Sequence, residues 1–222
     1  MRAAWAIVRR ELQGELRSRE IIPTILVFGA LVVVVMNFAF EPSREESERI
    51  APGVIWIAIA FAGILGLSRS AALDEENAAL DGLLAAPVER SSLYHGKLLA
   101  NCAFLLVAEV VLVPLILVLY NLAAWRTLVA LAPTIVLGTI GFAAAGTIFA
   151  TIAANSKLRE VLLPILLLPV VIPVFLAAVE ATGIVIRNEG VRYLYSWLRI
   201  LAVFDLVYIV ASSLLFEFVV ED

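Results

Sequence analysis

Apolar residues run along this chain in six long blocks: Ile21–Phe40, Ile50–Ser68, Leu98–Ala124, Leu128–Ala154, Val161–Val179 and Ile200–Phe216. A helix needs about 20 predominantly apolar residues to cross the hydrocarbon core of a bilayer. The pattern therefore predicts six spanning helices, the third and fourth long enough to tilt or project from the membrane. Glu109 and Asp205 are the only charges inside the blocks. The first block follows five arginines, as a secretory leader would. Its apolar stretch is about twice the usual leader length, and no small-residue cleavage pattern follows Phe40. It reads as a permanent helix.

Two polar segments carry their own pattern. Over residues 2–19, at about 100° per residue, Trp5, Val8, Leu12 and Leu16 share one face. Arg9, Arg10, Gln13 and Arg17 lie elsewhere on the wheel. This is a basic amphipathic arm with a tryptophan anchor, suited to the headgroup layer; the alternative is a polar helix packed on the protein's own spans. The segment 69–97 holds Asp74, Glu75, Glu76 and Asp81, then the apolar run Leu83, Leu84, Ala85 and Ala86, stopped by Pro87. Helix formers dominate residues 71–86, and Ser91 or Ser92 is placed to cap a helix running into the third span. An acidic helix with an apolar edge is a docking element for a soluble partner, the alternative being a solvated connection.

Lys and Arg number ten in the arm, the 69–97 segment, the 155–160 turn and the tail, against six in the intervening loops. By the positive-inside rule both termini are cytoplasmic. No repeat or linker divides the chain, so residues 1–222 read as one domain.

Composition narrows the function. Of 222 residues, 63% are hydrophobic and 16% charged, with a mean hydropathy of +1.01. Average soluble domains are about 45–50% apolar and about 25% charged, so an ordinary soluble enzyme is excluded. A net charge of −4 offers no basic stripe for nucleic acid. The single cysteine, Cys102, cannot form an internal disulfide and reads as a packing residue.

Chemistry concentrates at a few positions. Glu109 lies about 18 Å along a helix from Lys97, near mid-bilayer, where a carboxylate costs about 2.5–3.5 kcal/mol. It is protonated, paired, or turned to water or the bundle interior, serving a pathway or hydrogen-bonding a neighbouring helix. Asp205 is six residues past Arg199, so snorkelling or local pairing accounts for it. Pro164, Pro169 and Pro173 crowd the fifth span and predict a bent or broken helix, either moving part or packing kink. Gly138, Gly141 and Ala145 give the fourth span a small-residue face for close helix approach, within the chain or across a dimer. No P-loop occurs, since the one Gly-Lys pair, Gly96–Lys97, precedes Leu98. His95 is the only histidine, and no catalytic residue or metal-ligand set is expected.

Three stretches resemble one family. Glu48-Arg49-Ile50-Ala51-Pro52-Gly53-Val54-Ile55-Trp56 is similar to the start of the second span of the heme exporter protein B (CcmB) family. Asp81-Gly82-Leu83-Leu84-Ala85-Ala86-Pro87, running on to Gly96-Lys97-Leu98, resembles its cytoplasmic loop, and Leu166–Val174 its fifth span. The likeness covers nearly the whole chain, with the Ile-Ala-Pro-Gly-x-x-Trp segment the most specific part. Ser68 departs from it, standing where an acidic residue would lie beside Arg69.

The resemblance implies an all-α, six-span permease of the type-2, ABC exporter-like class in the bacterial inner membrane. It implies a homodimer in a complex with an ABC ATPase subunit (CcmA-like), a heme-handling membrane protein (CcmC-like) and a heme chaperone. ATP would bind the partner, heme would be handled by the complex, and no cofactor would be bound directly by this non-catalytic chain. The acidic 74–86 segment would couple the ATPase to release of the heme-loaded chaperone or to heme export. Two other readings are an ABC permease for a lipid, drug or polysaccharide, and a secondary carrier or structural membrane protein. The last would carry inverted repeats or paired buried charges, and the sequence displays neither.

Overall fold

The computed structural model describes residues 2–76, 89–122, 125–154 and 158–219. Among these the chain forms seven helices: α1 (Arg2–Ser18), α2 (Ile21–Phe40), α3 (Arg44–Glu76), α4 (Arg90–Leu119), α5 (Trp125–Ala154), α6 (Arg159–Arg187) and α7 (Val191–Val219). The described residues include no strand. The six helices α2–α7 are long and apolar enough to cross a membrane. Most overrun their apolar blocks, because a helix keeps its backbone hydrogen bonds satisfied into the headgroup region.

Local chemistry sets several ends. Ser43 N–H donates to Glu46 Oε2 at 2.9 Å and Glu46 N–H to Ser43 Oγ at 3.4 Å, a reciprocal capping box at the start of α3. α4 begins at Arg90 behind Glu89, with no side-chain cap, so neither Ser91 nor Ser92 caps it. α6 continues without interruption through Pro164, Pro169 and Pro173. Tyr208 Oη on α7 donates to the Val170 carbonyl at 2.5 Å, three residues before Pro173. This bond ties α7 to α6, while the carbonyl that Pro173 leaves without its helical donor is that of Pro169.

The helices α4 and α5 form the centre, α4 touching α1, α2, α3, α5 and α7, and α5 touching α3, α4, α6 and α7. The spanning window of α3 is 72% buried, against 22% for α2 and 17% for α7. Two apolar layers fill the bundle. One, nearer α1, gathers Leu67, Tyr94, Phe104, Phe142 and Phe216; the other gathers Ile55, Trp56, Ile116, Tyr120, Leu131 and Leu201. Helices in lipid gain little from hydrophobicity against one another and associate through close packing and polar bonds. Both devices appear. A Cβ at Gly138 would lie 2.1 Å from the Trp56 ring, and one at Gly141 2.5 Å from Asp205 Oδ1. The small-residue face of α5 is therefore filled within the chain, by α3 and by α7.

Gly138→Ala should overpack this contact and destabilise the bundle by about 1–3 kcal/mol. Thermal unfolding in detergent should show a lowered Tm, partly restored by adding Trp56→Phe. Gly53→Ala, where a Cβ meets nothing within 4 Å, should leave Tm unchanged or raised.

Candidate functional site: a polar junction and a buried carboxyl

Polar side chains gather at two levels. The first is the end of the bundle that carries α1. There Ala4, Ile7 and Val8 are buried, and α1 packs against α4. A Cβ at Gly96 would come within 2.7 Å of Ile7 Cβ, so this approach needs glycine at 96. Trp5 is 68% exposed, Leu16 76%, and Arg9 and Arg10 are exposed. The arm thus divides its apolar residues: Ile7 and Val8 face the protein, while Trp5 and Leu16 face outward.

The chain turns from α1 to α2 through Arg19 in the left-handed region (φ 54°). Glu15, buried, spans the turn. Its two oxygens accept from the N–H groups of Ile21 (3.0 Å) and Ile22 (2.9 Å), satisfying orphan donors in the first turn of α2. Glu20 pairs with Arg69 of α3, its Oε2 accepting from Nε at 2.6 Å. The carboxylate that Ser68 does not supply comes instead from 49 residues away. Asp74, near the end of α3, pairs with Lys97 in the second turn of α4, both side chains largely buried. Beside them a cavity of about 380 Å³ is lined by Arg10, Glu11, Glu15, Arg17, Ser70 and Asp74, among others. Glu11 Oε1 is buried in it without a hydrogen-bond partner. Burial pushes the Glu11 carboxyl above the usual carboxylate range; Lys97 and Arg10 oppose the rise and Asp74 adds to it.

Of the docking residues expected from sequence, only Asp74 is described in full. Glu75 and Glu76 lie in the last turn of α3, their side chains undescribed, and Asp81, Leu83 and Leu84 lie outside the described residues.

The second level is mid-bundle. Glu109 is 3% exposed, and both its oxygens lie 2.8 Å from Thr139 Oγ1 on α5. A hydroxyl has one proton to donate. An ionised Glu109 would share that one proton between its two oxygens, and a protonated one would accept with one oxygen and donate with the other. Eight residues away on each helix, Asn101 Nδ2 donates to Thr147 Oγ1 at 3.0 Å, a second rung in the same antiparallel register. Trp56 Nε1 donates to Thr182 Oγ1 at 2.9 Å, tying α3 to α6. Asp205 is 4% exposed with Oδ1 against Gly141, and neither oxygen has a hydrogen-bond partner. It is not paired with Arg199, whose guanidinium lies 4.3 Å from the centre of the Tyr195 ring. Pro164, Pro169 and Pro173 lie within α6, and Pro164 lines a cavity with Thr24, Ser68 and Arg69.

His95 Nδ1–H donates to the Ser91 carbonyl at 2.6 Å, and Gly96–Lys97 sits in helix packing. Among the described residues no cluster of three or more His, Cys, Asp or Glu could hold a metal ion.

The sequence profile of the CcmB protein family matches residues 2–221. The chain belongs to the CcmB protein family. Relatives named heme exporter protein B include those of Rhodobacter capsulatus, 32% identical over 79% of this chain and 80% of the relative. That of Bradyrhizobium diazoefficiens is 30% identical over 84% and 83%, and that of Haemophilus influenzae 29% over 83% and 84%. This CcmB family member is a multi-pass membrane protein, with six helices long and apolar enough to cross a membrane.

Two outcomes test these assignments. Glu109→Gln keeps an acceptor and a donor for Thr139 and should cost about 1 kcal/mol or less. Glu109→Lys buries an unpaired cation and should cost about 3–5 kcal/mol, read as lost folded protein in detergent. Glu11 favours the folded state most when neutral. Its contribution is complete below the ordinary carboxyl value of 4.5 and is lost as pH rises through the raised folded value. Glu11→Gln should therefore match the parent in Tm at low pH and exceed it increasingly as pH rises.

Proposed function

We propose that this chain is the permease subunit of an ABC-type complex in c-type cytochrome biogenesis, in the bacterial inner membrane with both termini cytoplasmic. The observation that carries the reading is the family match over nearly the whole length of a six-span chain that has no P-loop. ATP hydrolysis then belongs to a partner ATPase. The excess of Lys and Arg on the α1 side supports placing that partner at the junction end.

In this reading residues 74–86 are the docking element: Asp74, Glu75, Glu76 and Asp81 supply charge, and Leu83 and Leu84 an apolar edge. The arm lies in the headgroup layer, with Trp5 outward and Arg9 and Arg10 toward anionic lipid. The chain works as a homodimer beside a heme-handling membrane protein and a heme chaperone. Its part is mechanical: ATP-driven rearrangement that exports heme or releases the heme-loaded chaperone. The three prolines of α6 and the neutral Glu109 serve that rearrangement, as a bendable helix and as a polar contact that can break without exposing a charge.

Replacing Glu75, Glu76, Leu83 and Leu84 together should abolish co-purification with the ATPase while membrane insertion persists; retained binding would sink the docking assignment. A strain deleted for the gene should lose heme-stained c-type cytochromes and regain them on complementation. Unchanged bands would favour an export permease for another substrate.

A further inference from the structure

A second cavity, of about 590 Å³, opens on the side of the bundle where α2 and α6 both pack on α3. Its back wall is one stripe of α3: Phe61, Ile64, Leu65, Ser68, Arg69 and Ala72, spaced by three and four residues. From Phe61 to Ala72 the helix rises about 16 Å. One leaflet is about 15 Å deep, half the hydrocarbon core of a bilayer, so the cavity runs the depth of a single leaflet. Its character changes along the way. Around Phe61 the walls are apolar, with Phe28 of α2 and Leu168 of α6 completing them. Phe61 and Val161 are 49% and 58% exposed, which leaves the cavity open to lipid. The Ser68 end is polar. There Thr24 Oγ1 donates to the Glu20 carbonyl one turn earlier, at 2.5 Å, and the Glu20 carboxylate pairs with Arg69. Both charged side chains stay partly exposed.

We propose that this cavity binds one phospholipid with a zwitterionic, primary-ammonium headgroup, from the leaflet on the α1 side. One acyl chain lies along the α3 stripe, and the headgroup sits at the Glu20–Arg69 pair. Apolar contact alone cannot hold one lipid over its neighbours, since hydrocarbon gains nothing by leaving hydrocarbon. The charge at the mouth makes the selection. Glu20 and Arg69 together are neutral, so a headgroup carrying both signs meets each with its opposite. The phosphate accepts from the guanidinium, whose planar N–H array suits phosphate oxygens, and from the Ser68 hydroxyl. The ammonium donates to the Glu20 carboxylate. An anionic headgroup would set its phosphate beside Glu20 with no cation of its own to offset the repulsion. A choline headgroup has no N–H to donate. The existing pair is no obstacle, because a partly exposed ion pair contributes little stability that the lipid must replace.

The test uses the full chain, purified in detergent, stripped of lipid and read by native mass spectrometry. Dioleoyl lipids with ethanolamine, choline and glycerol headgroups are added in turn. One phosphatidylethanolamine per chain should be retained at a concentration roughly fivefold below that needed for either of the others. Leu65→Trp, which fills the middle of the cavity, and Arg69→Gln should each raise that concentration by roughly fivefold or more. Glu20→Gln leaves the mouth cationic and should turn the preference toward phosphatidylglycerol. Val110→Trp, at an exposed position on α4, should leave retention unchanged. If Leu65→Trp does not fold, Ser68→Phe at the mouth takes its place. In vesicles, phosphatidylethanolamine with a photoreactive acyl chain should label α2, α3 and α6 around Phe28, Phe61 and Leu168. Equal retention of the three headgroups, unchanged retention in the filled variant, or labelling confined to other helices overturns the proposal. So does a dimer that excludes lipid and is split by Ser68→Phe, since a second copy of the chain then occupies the cavity.

Discussion

Trp56 lies where α5 has no side chain. Its ring occupies the place of a Gly138 Cβ, its indole N–H reaches Thr182 on α6, and Phe175 sits beside it at 5.8 Å between ring centres. One residue of α3 thereby fixes the separation of three helices. Packing of this kind matters more in lipid than in water, because apolar area gains nothing there by leaving the solvent. With the large aromatic seated, α5 lies close enough to its other neighbours for Thr139 to reach Glu109 and for Gly141 to accommodate Asp205. The mid-bundle polar contacts follow from that approach.

The two polar levels answer different problems. At mid-bundle every partner is a neutral hydroxyl, amide or carbonyl, and the pairs Glu109–Thr139 and Asn101–Thr147 keep one register between α4 and α5. Such bonds specify alignment at small energetic cost. At the junction the contacts are ion pairs and a carboxylate cap, which tolerate the higher polarity of the membrane surface. They bind helix ends to one another rather than helix faces.

The spans, the arm and the absence of an ATPase signature were legible from residue pattern, because hydropathy and local spacing carry that information. The partners of the charged groups were not. Arg69 finds Glu20 across 49 residues and Lys97 finds Asp74 across 23, pairings that no local pattern encodes. Asp205 invited a local partner in Arg199, yet helix rotation turns it toward Gly141 instead. The wheel drawn through Trp5, Val8, Leu12 and Leu16 missed Ile7, because it grouped residues by lipid affinity while the protein also selects those that fit beside Gly96. The prolines of α6 signalled a break in that helix, yet it runs through them without interruption.

The long reach of the junction contacts has a consequence for biosynthesis. Glu15 finds its acceptor role as soon as α2 has been made, but Arg69 and Lys97 leave the ribosome only after the second and at the start of the third apolar block. Until then α1 has no Gly96 to rest on, and Glu20 has no cation. The arm can therefore reach its seat on the protein only when α4 arrives.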